Sequence, residues 1–173
     1  LPLHAGVAGG ADIILIPEIP YDIDKVVEAI NKRSKDGKGF TILAVAEGAI
    51  SKEDAQLSKK ELKAKKKETK YPSVSYEVAA QIQERTGNEV RVTVPGHMQR
   101  GGSPCAYDRV LCTQLGAHAA KLILDEDYGY MVGMIDGQTR KVPLGDVAGK
   151  LKMVQPDCQL IKEAKLVGIC FGD

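Results

Sequence analysis

An α/β fold with a mostly parallel, Rossmann-like sheet flanked by helices, and with a hairpin and helices near the C-terminus, is predicted by three features of this chain. Short β-branched runs alternate with segments of helical spacing, the runs are apolar on nearly every residue, and glycine or proline closes most segments. With 173 residues, 43% hydrophobic and 27% charged, the chain can bury a sizeable core. A net charge of +1 excludes the chain-wide basic surface that nucleic acids or anionic membranes require. The longest apolar runs, such as 13–17 and 42–46, fall far short of the ~20 residues of a membrane span, so no membrane partner is expected. Cys105, Cys112, Cys158 and Cys170 fit neither a zinc spacing nor a Cys-x-x-Cys redox pair. They read as reduced and mostly buried thiols of a cytoplasmic protein, with no metal site.

The chain opens on Leu1-Pro2-Leu3-His4-Ala5-Gly6, which reads as the end of a helix. Residues 13–16 follow as a strand buried on both faces, closed by Pro17. Asp22 is placed to cap a helix whose Ile23, Val26, Val27 and Ile30 share a face and which Gly37 closes; 40–46 returns as a second buried strand. Strand, helix, strand in that order implies a right-handed crossover. The lysine-rich stretch 52–70 has only Leu57 and Leu62 as large apolar residues, so it is expected as a solvated helix or mobile loop, with polyanion binding as the other reading. A helix over 76–85, a turn at Asn88 and an alternating strand over 90–94 come next. After a loop, Ala106, Val110, Leu111, Leu115, Ala119 and Leu122 carry helical spacing. Asp136-Gly137 between 131–135 and 138–142 is a hairpin signal, and 158–167 has helical content. His4 and His118 have no partners at ligand spacing and read as packing or surface residues.

The loop Pro95-Gly96-His97-Met98-Gln99-Arg100-Gly101-Gly102-Ser103-Pro104 gathers the ingredients of a phosphate site. It lies at the carboxyl end of the 90–94 run. Ser103 can cap the next helix and Pro104 suits its first turn, which would aim free N–H groups and the positive dipole end at the loop. Gly101 and Gly102 allow close backbone approach, Arg100 can grip phosphate oxygens with two donors, and His97 can donate from either ring nitrogen. A tight glycine turn with a surface arginine is the plainer alternative. Glu47 ends the 40–46 strand, so it can reach the same sheet rim as His97 and Arg100, where a carboxylate would accept sugar hydroxyls.

This decapeptide resembles the sugar-phosphate loop of the 6-phosphofructokinases, Leu-Gly-His-Ile/Leu/Met-Gln-Arg-Gly-Gly-Ser-Pro, departing only at Pro95. Further matches are Ala8-Gly9-Gly10-Ala11-Asp12 with 13–18, Ala46-Glu47-Gly48, and Thr86-Gly87-Asn88-Glu89-Val90-Arg91, so the resemblance covers nearly the whole chain. It looks like the carboxyl-terminal half only. Nothing here resembles the family's glycine-rich nucleotide loop, its Asp-containing segment that supplies catalytic base and magnesium ligand, or its Met-Gly-Arg turn.

The resemblance implies a glycolytic phosphotransferase that phosphorylates fructose 6-phosphate at O1, using Mg²⁺ and ATP or pyrophosphate bound mainly by the missing half. Glu47 would bind the fructose hydroxyls, and His97 and Arg100 the 6-phosphate. Arg91 would reach the 6-phosphate of a neighbouring subunit, which implies a homodimer or homotetramer. No catalytic residue is assigned within the chain, and the isolated fragment is expected to be inactive. Asp12 and Lys38 match effector-binding positions of allosteric members, but Asp36 stands where a second lysine would be and would repel an effector's phosphates. The implied domains are 1–98 for sugar-phosphate binding, with a lysine-rich insertion 51–72; 99–149, belonging with the nucleotide domain; and 150–173, returning to the first. The insertion is similar to those of the longer family branch that includes many pyrophosphate-using members. Residues 103–146 are expected to expose apolar surface where the nucleotide domain would pack. A non-catalytic phosphosugar-binding regulatory subunit is the rival of another class. A nucleic-acid partner is not expected, because the lysines lack interleaved aromatics.

Overall fold

Ile13, Ile14 and Leu15 carry no polar side chain, and in the computed structural model they form a fully buried strand, β1 (Ile13–Leu15). The structure describes residues 1–173 apart from the side chain of Lys66. It divides into two compact units, Leu1–Thr93 with Met153–Asp173, and Val94–Lys152.

In the first unit β1 pairs in parallel with β2 (Leu43–Val45), Ile13 opposite Leu43 and Leu15 opposite Val45. On its other side Ile13 makes a parallel bridge to Cys170, with the Ile14 N–H donating to the Cys170 carbonyl at 2.9 Å. Successive residues of β1 therefore enter opposite cores. Ile13 and Leu15 join Val26 and Ile30 of α2 (Ile23–Lys35) and Val78 and Ile82 of α4 (Val74–Thr86). Ile14 and Ile16 join Leu3 of α1 (Pro2–Ala8) and Ile161 and Ala164 of α7 (Gln159–Leu166). Each such side chain contributes about 1.5–3 kcal/mol of burial free energy, and both layers depend on this one strand. The close approach of α1 is permitted by Gly6: a Cβ there would lie 2.7 Å from Ile14 Cδ1.

Local signals set the helix ends. Asp22 caps α2 by accepting from the Asp24 N–H at 2.9 Å, and Lys32, Arg33 and Lys35 in its last turn oppose the dipole. The lysine-rich stretch resolves into a short 3₁₀ turn, Asp54–Gln56, and α3 (Lys59–Glu68). Ser58 and Glu61 close a capping box on α3, which stabilises a helix with little apolar surface. Arg85 near the end of α4 pairs with Asp24 near the start of α2 at 2.6 Å.

Three expectations need correction. The stretch 90–94 forms no ladder among the described residues, although Val90 and Val92 are half-buried while Arg91 and Thr93 are exposed. The alternation is thus realised as alternating burial: Val90 packs on the core, but no neighbouring edge completes a strand. The second strand covers only Leu43–Val45, with Phe40 72% exposed. Finally, the cysteines are not mostly buried: Cys158 and Cys170 are half-buried, and Cys105 and Cys112 of the other unit are exposed.

The second unit contains a 3₁₀ turn, Gly96–Arg100, then α5 (Ala106–Leu124), the antiparallel hairpin of β3 (Tyr130–Ile135) and β4 (Gln138–Pro143), and α6 (Leu144–Val147). The hairpin turn uses Asp136 at φ 50° and Gly137 at φ 74°, the conformations expected of Asp-Gly. Within this unit no residue of α5 is buried, and Val110, Ile123 and Leu124 are exposed, as anticipated for 103–146. Among the described residues no helix is long and apolar enough to cross a membrane.

Candidate functional site

The phosphate-loop residues fold into a 3₁₀ turn held by the Met98 N–H donating to the Pro95 carbonyl at 2.9 Å and the Gly101 N–H to the Met98 carbonyl at 3.1 Å. Gly96 at φ 50° and Gly102 at φ 86° bracket it, positions that favour glycine. His97 and Arg100 are exposed, and no ion pair engages either among the described residues. Both are therefore available to an external anion.

The helix after the loop begins later than its sequence suggests. Cys105, not Ser103, is the N-cap of α5. Its N–H and its Sγ both lie 3.3 Å from Asp108 Oδ2, so a carboxylate already complements the helix start. The start of α5 is thus not a bare helix dipole turned toward the loop. The three-residue spacing from Cys105 to Asp108 was the available signal.

In the first unit, Glu47 follows β2 on a turn in which the Ala49 N–H donates to the Ala46 carbonyl at 2.9 Å. Its exposed carboxylate lines a cavity of about 210 Å³ together with Tyr21, Asp54, Lys65, Ser73 and Glu77. Lys65 forms an ion pair with Asp54, which raises the lysine's pKa. Tyr21 is 3% exposed, and burial, then Glu77, Asp54 and Glu53, push its hydroxyl up to about 12. Arg91 is exposed and pairs with Glu89 at 2.9 Å.

The remaining expected site residues behave differently from one another. Asp12 accepts from the Ile42 N–H at 2.8 Å through Oδ2 and pairs with Arg33 at 2.9 Å through Oδ1. Both oxygens are engaged in holding the loop before β2 against β1 and α2. Lys38 is exposed just beyond α2, where Asp36 is the C-cap and Gly37 has φ 78°. Arg33, 21 positions from Asp12, carried no sequence signal of this contact. A second undetected tie is Glu18, whose carboxylate accepts from the Val154 N–H at 3.0 Å and secures the returning C-terminal segment.

A model of the phosphofructokinase family matches residues 1–123. The chain is 54% identical, over its whole length, to the ATP-dependent 6-phosphofructokinase of Spirochaeta thermophila and covers 47% of that protein. It is 40% identical, over 99% of its length, to ATP-dependent 6-phosphofructokinase 3 of Bacteroides thetaiotaomicron, covering 46% of it. The chain spans about half the length of the curated relatives it matches. Among solved structures, Pichia pastoris phosphofructokinase in the T-state aligns with a TM-score of 0.61 at 35% identity, over 84% of this chain and 15% of that one. The pyrophosphate-dependent phosphofructokinase of Marinobacter aquaeolei aligns with a TM-score of 0.69 over 98% of this chain and 44% of that one; at 19% identity this is a likeness of fold.

Proposed function

The chain belongs to the phosphofructokinase family, and from that premise we propose that it is the sugar-phosphate-binding half of a cytoplasmic 6-phosphofructokinase. The reaction proposed for the full-length protein is phosphoryl transfer to O1 of fructose 6-phosphate, giving fructose 1,6-bisphosphate. The observation that carries this reading is the exposed pair His97 and Arg100 on a 3₁₀ turn followed by the glycine pair Gly101 and Gly102.

Phosphoryl transfer depends on alignment and charge neutralisation more than on covalent help. Arg100 supplies two parallel donors to the 6-phosphate, His97 adds a further donor, and Glu47 accepts from the fructose hydroxyls. Each is free of internal ion pairs among the described residues, so binding requires no prior bond to be broken. The exposed Arg91 is assigned to the phosphate of a neighbouring subunit in a homodimer or homotetramer. A role for Asp12 in holding an effector's magnesium would compete with its bonds to Arg33 and Ile42.

Mg²⁺ and the phosphoryl donor are assigned to the rest of the full-length protein, because no segment of this chain resembles the family's nucleotide loop or its Asp-containing segment, and the isolated chain is proposed to be inactive. ATP is the donor favoured, because the curated relatives at 40% and 54% identity are named ATP-dependent.

The test is an assay of the full-length protein on fructose 6-phosphate with ATP and pyrophosphate in parallel. Turnover with ATP is expected, and Arg100→Ala should raise the sugar KM roughly 10- to 100-fold through loss of a charge-assisted contact. Silence with both donors would refute the enzyme reading, and an unchanged KM in Arg100→Ala would refute the clamp.

A further inference from the structure

We propose that the outer face of α3 is a docking surface for an acidic polypeptide segment, one that runs extended and carries carboxylates at alternate residues. Lys59, Lys63 and Lys67 stand four positions apart on this face with Lys60 beside them, and all four side chains are exposed. No ion pair among the described residues engages any of them.

These charges are arranged against the helix's own stability. Like charges three or four positions apart repel, and a helix that merely faces water ordinarily intersperses acids at that spacing. The positions three and four residues to either side of Lys63 are Lys59, Lys60, Lys66 and Lys67, a lysine at every one. Lys59 and Lys60 also occupy the first turn, where the positive end of the dipole disfavours cations. The nearby acids are placed elsewhere: Glu61 accepts from the Ser58 N–H at 2.9 Å, Asp54 pairs with Lys65, and Glu68 lies three or four positions from none of the four lysines. The helix is nevertheless held firmly. The Ser58–Glu61 capping box closes its start, Leu62 is half-buried, and the Lys65–Asp54 pair ties it to the 3₁₀ turn before it. An anchored helix whose outward charges oppose its own formation places the compensating charge outside the chain.

The residue types select the partner. No arginine lies within 52–70 and no aromatic residue is interleaved with the lysines, so the face offers neither a bidentate grip on phosphates nor a platform for bases. Leu62 is the one large apolar residue of α3 and is half-buried, so the helix lacks the apolar face that seats in lipid. A lysine ammonium is a compact point charge suited to single carboxylates. Successive lysines of the stripe rise by about 6 Å, close to the ~6.6 Å between alternate side chains of an extended chain.

Fluorescence anisotropy of a labelled peptide of alternating glutamate and serine, titrated with the full-length protein, provides the test. Saturable binding is expected at low salt, weakening at least roughly tenfold between about 0.01 and 0.15 M ionic strength as the Debye length contracts from about 30 to 8 Å. Lys63→Glu separates docking from folding. A carboxylate there gains lysine neighbours at both four-residue steps, so the variant should unfold at the same or a higher urea concentration yet bind the peptide at least roughly tenfold more weakly. Lys32→Gln on α2, also exposed and unpaired among the described residues, should leave the affinity within about twofold. No peptide binding at low salt, or equal binding by Lys63→Glu, would overturn the proposal. Tighter binding of oligothymidylate or of phosphatidylserine-containing vesicles than of the peptide would also overturn it, by assigning the face to nucleic acid or to a membrane. Should Lys63→Glu fail to fold, Lys59→Gln combined with Lys67→Gln decides in its place, with a loss of roughly fivefold or more expected.

Discussion

Removing the Asp12 carboxylate tests whether that residue is a structural clamp. In Asp12→Ala two bonds disappear: the 2.8 Å acceptor of the Ile42 N–H and the 2.9 Å partner of Arg33. A hydrogen bond to a charged group is worth about 1.5–3 kcal/mol. The ion pair, whose side chains are 16% and 29% exposed, adds about 0.5–1 kcal/mol after screening. The Arg33 Nε is already buried without a partner, so losing Asp12 leaves a guanidinium still less satisfied. The expected loss is about 2–4 kcal/mol, read from urea unfolding by far-UV circular dichroism. Asp12→Asn keeps an oxygen for the Ile42 N–H and loses only the ion pair, so it should cost about 1 kcal/mol. Amide exchange at Ile42 localises the effect: protection should fall in Asp12→Ala and persist in Asp12→Asn. An Asp12→Ala variant within 0.5 kcal/mol of the parent, about the scatter of a neutral surface change, would refute the clamp.

Two further predictions use the same core. Gly6→Ala would set a Cβ 2.7 and 2.8 Å from Ile14 Cδ1 and Cγ1 and 3.1 Å from Ala44 Cβ, so despite better helix propensity it should cost about 1–2 kcal/mol and lower the Tm; an unchanged Tm would mean that α1 lies looser on the sheet. The Tyr21 hydroxyl is held up to about 12 against its ordinary 10.0, chiefly by burial. Between those values the unfolded chain gives up this proton and the folded chain keeps it, so the contribution is complete below pH ~10 and declines as pH rises toward ~12. Solvent contact at the cavity reduces it to about 1–2 kcal/mol. Tyr21→Phe should flatten the alkaline loss of stability over that interval, and an identical pH profile would exclude Tyr21 as its source.

What was legible in the sequence follows from where the physical cause lies. The first strand, the Asp22 cap, the α2 face and the Asp-Gly hairpin each arise from contacts within a few residues, and each appears where it was expected. The α5 cap was misplaced because Ser103 is a strong capping residue by type, whereas Cys105 is secured by Asp108 three residues on. The 90–94 strand failed for another reason: alternation selects burial, but a ladder also needs a free partner edge, which no local pattern specifies. Distance hid the rest. Asp12 meets Arg33 and Glu18 meets Val154 only through the fold, and the cavity draws on residues from Tyr21 to Glu77.

The difference between the engaged and the free charges also separates two kinds of motif match. Asp12 matches an effector position by type, yet its carboxylate is spent internally on Arg33 and the Ile42 N–H. Arg100, proposed to hold the sugar phosphate, is exposed with no ion pair among the described residues. An exposed, unpaired arginine contributes little to folding, so Arg100→Ala should leave unfolding within about 0.5 kcal/mol of the parent while it weakens the sugar phosphate. Asp12→Ala should do the reverse. A residue that serves a ligand can be removed cheaply from the free protein, because its partner is outside; a residue that serves the fold cannot. If Arg100→Ala proved as destabilising as Asp12→Ala, the loop would owe its sequence to folding, and the phosphate clamp would lose its physical support.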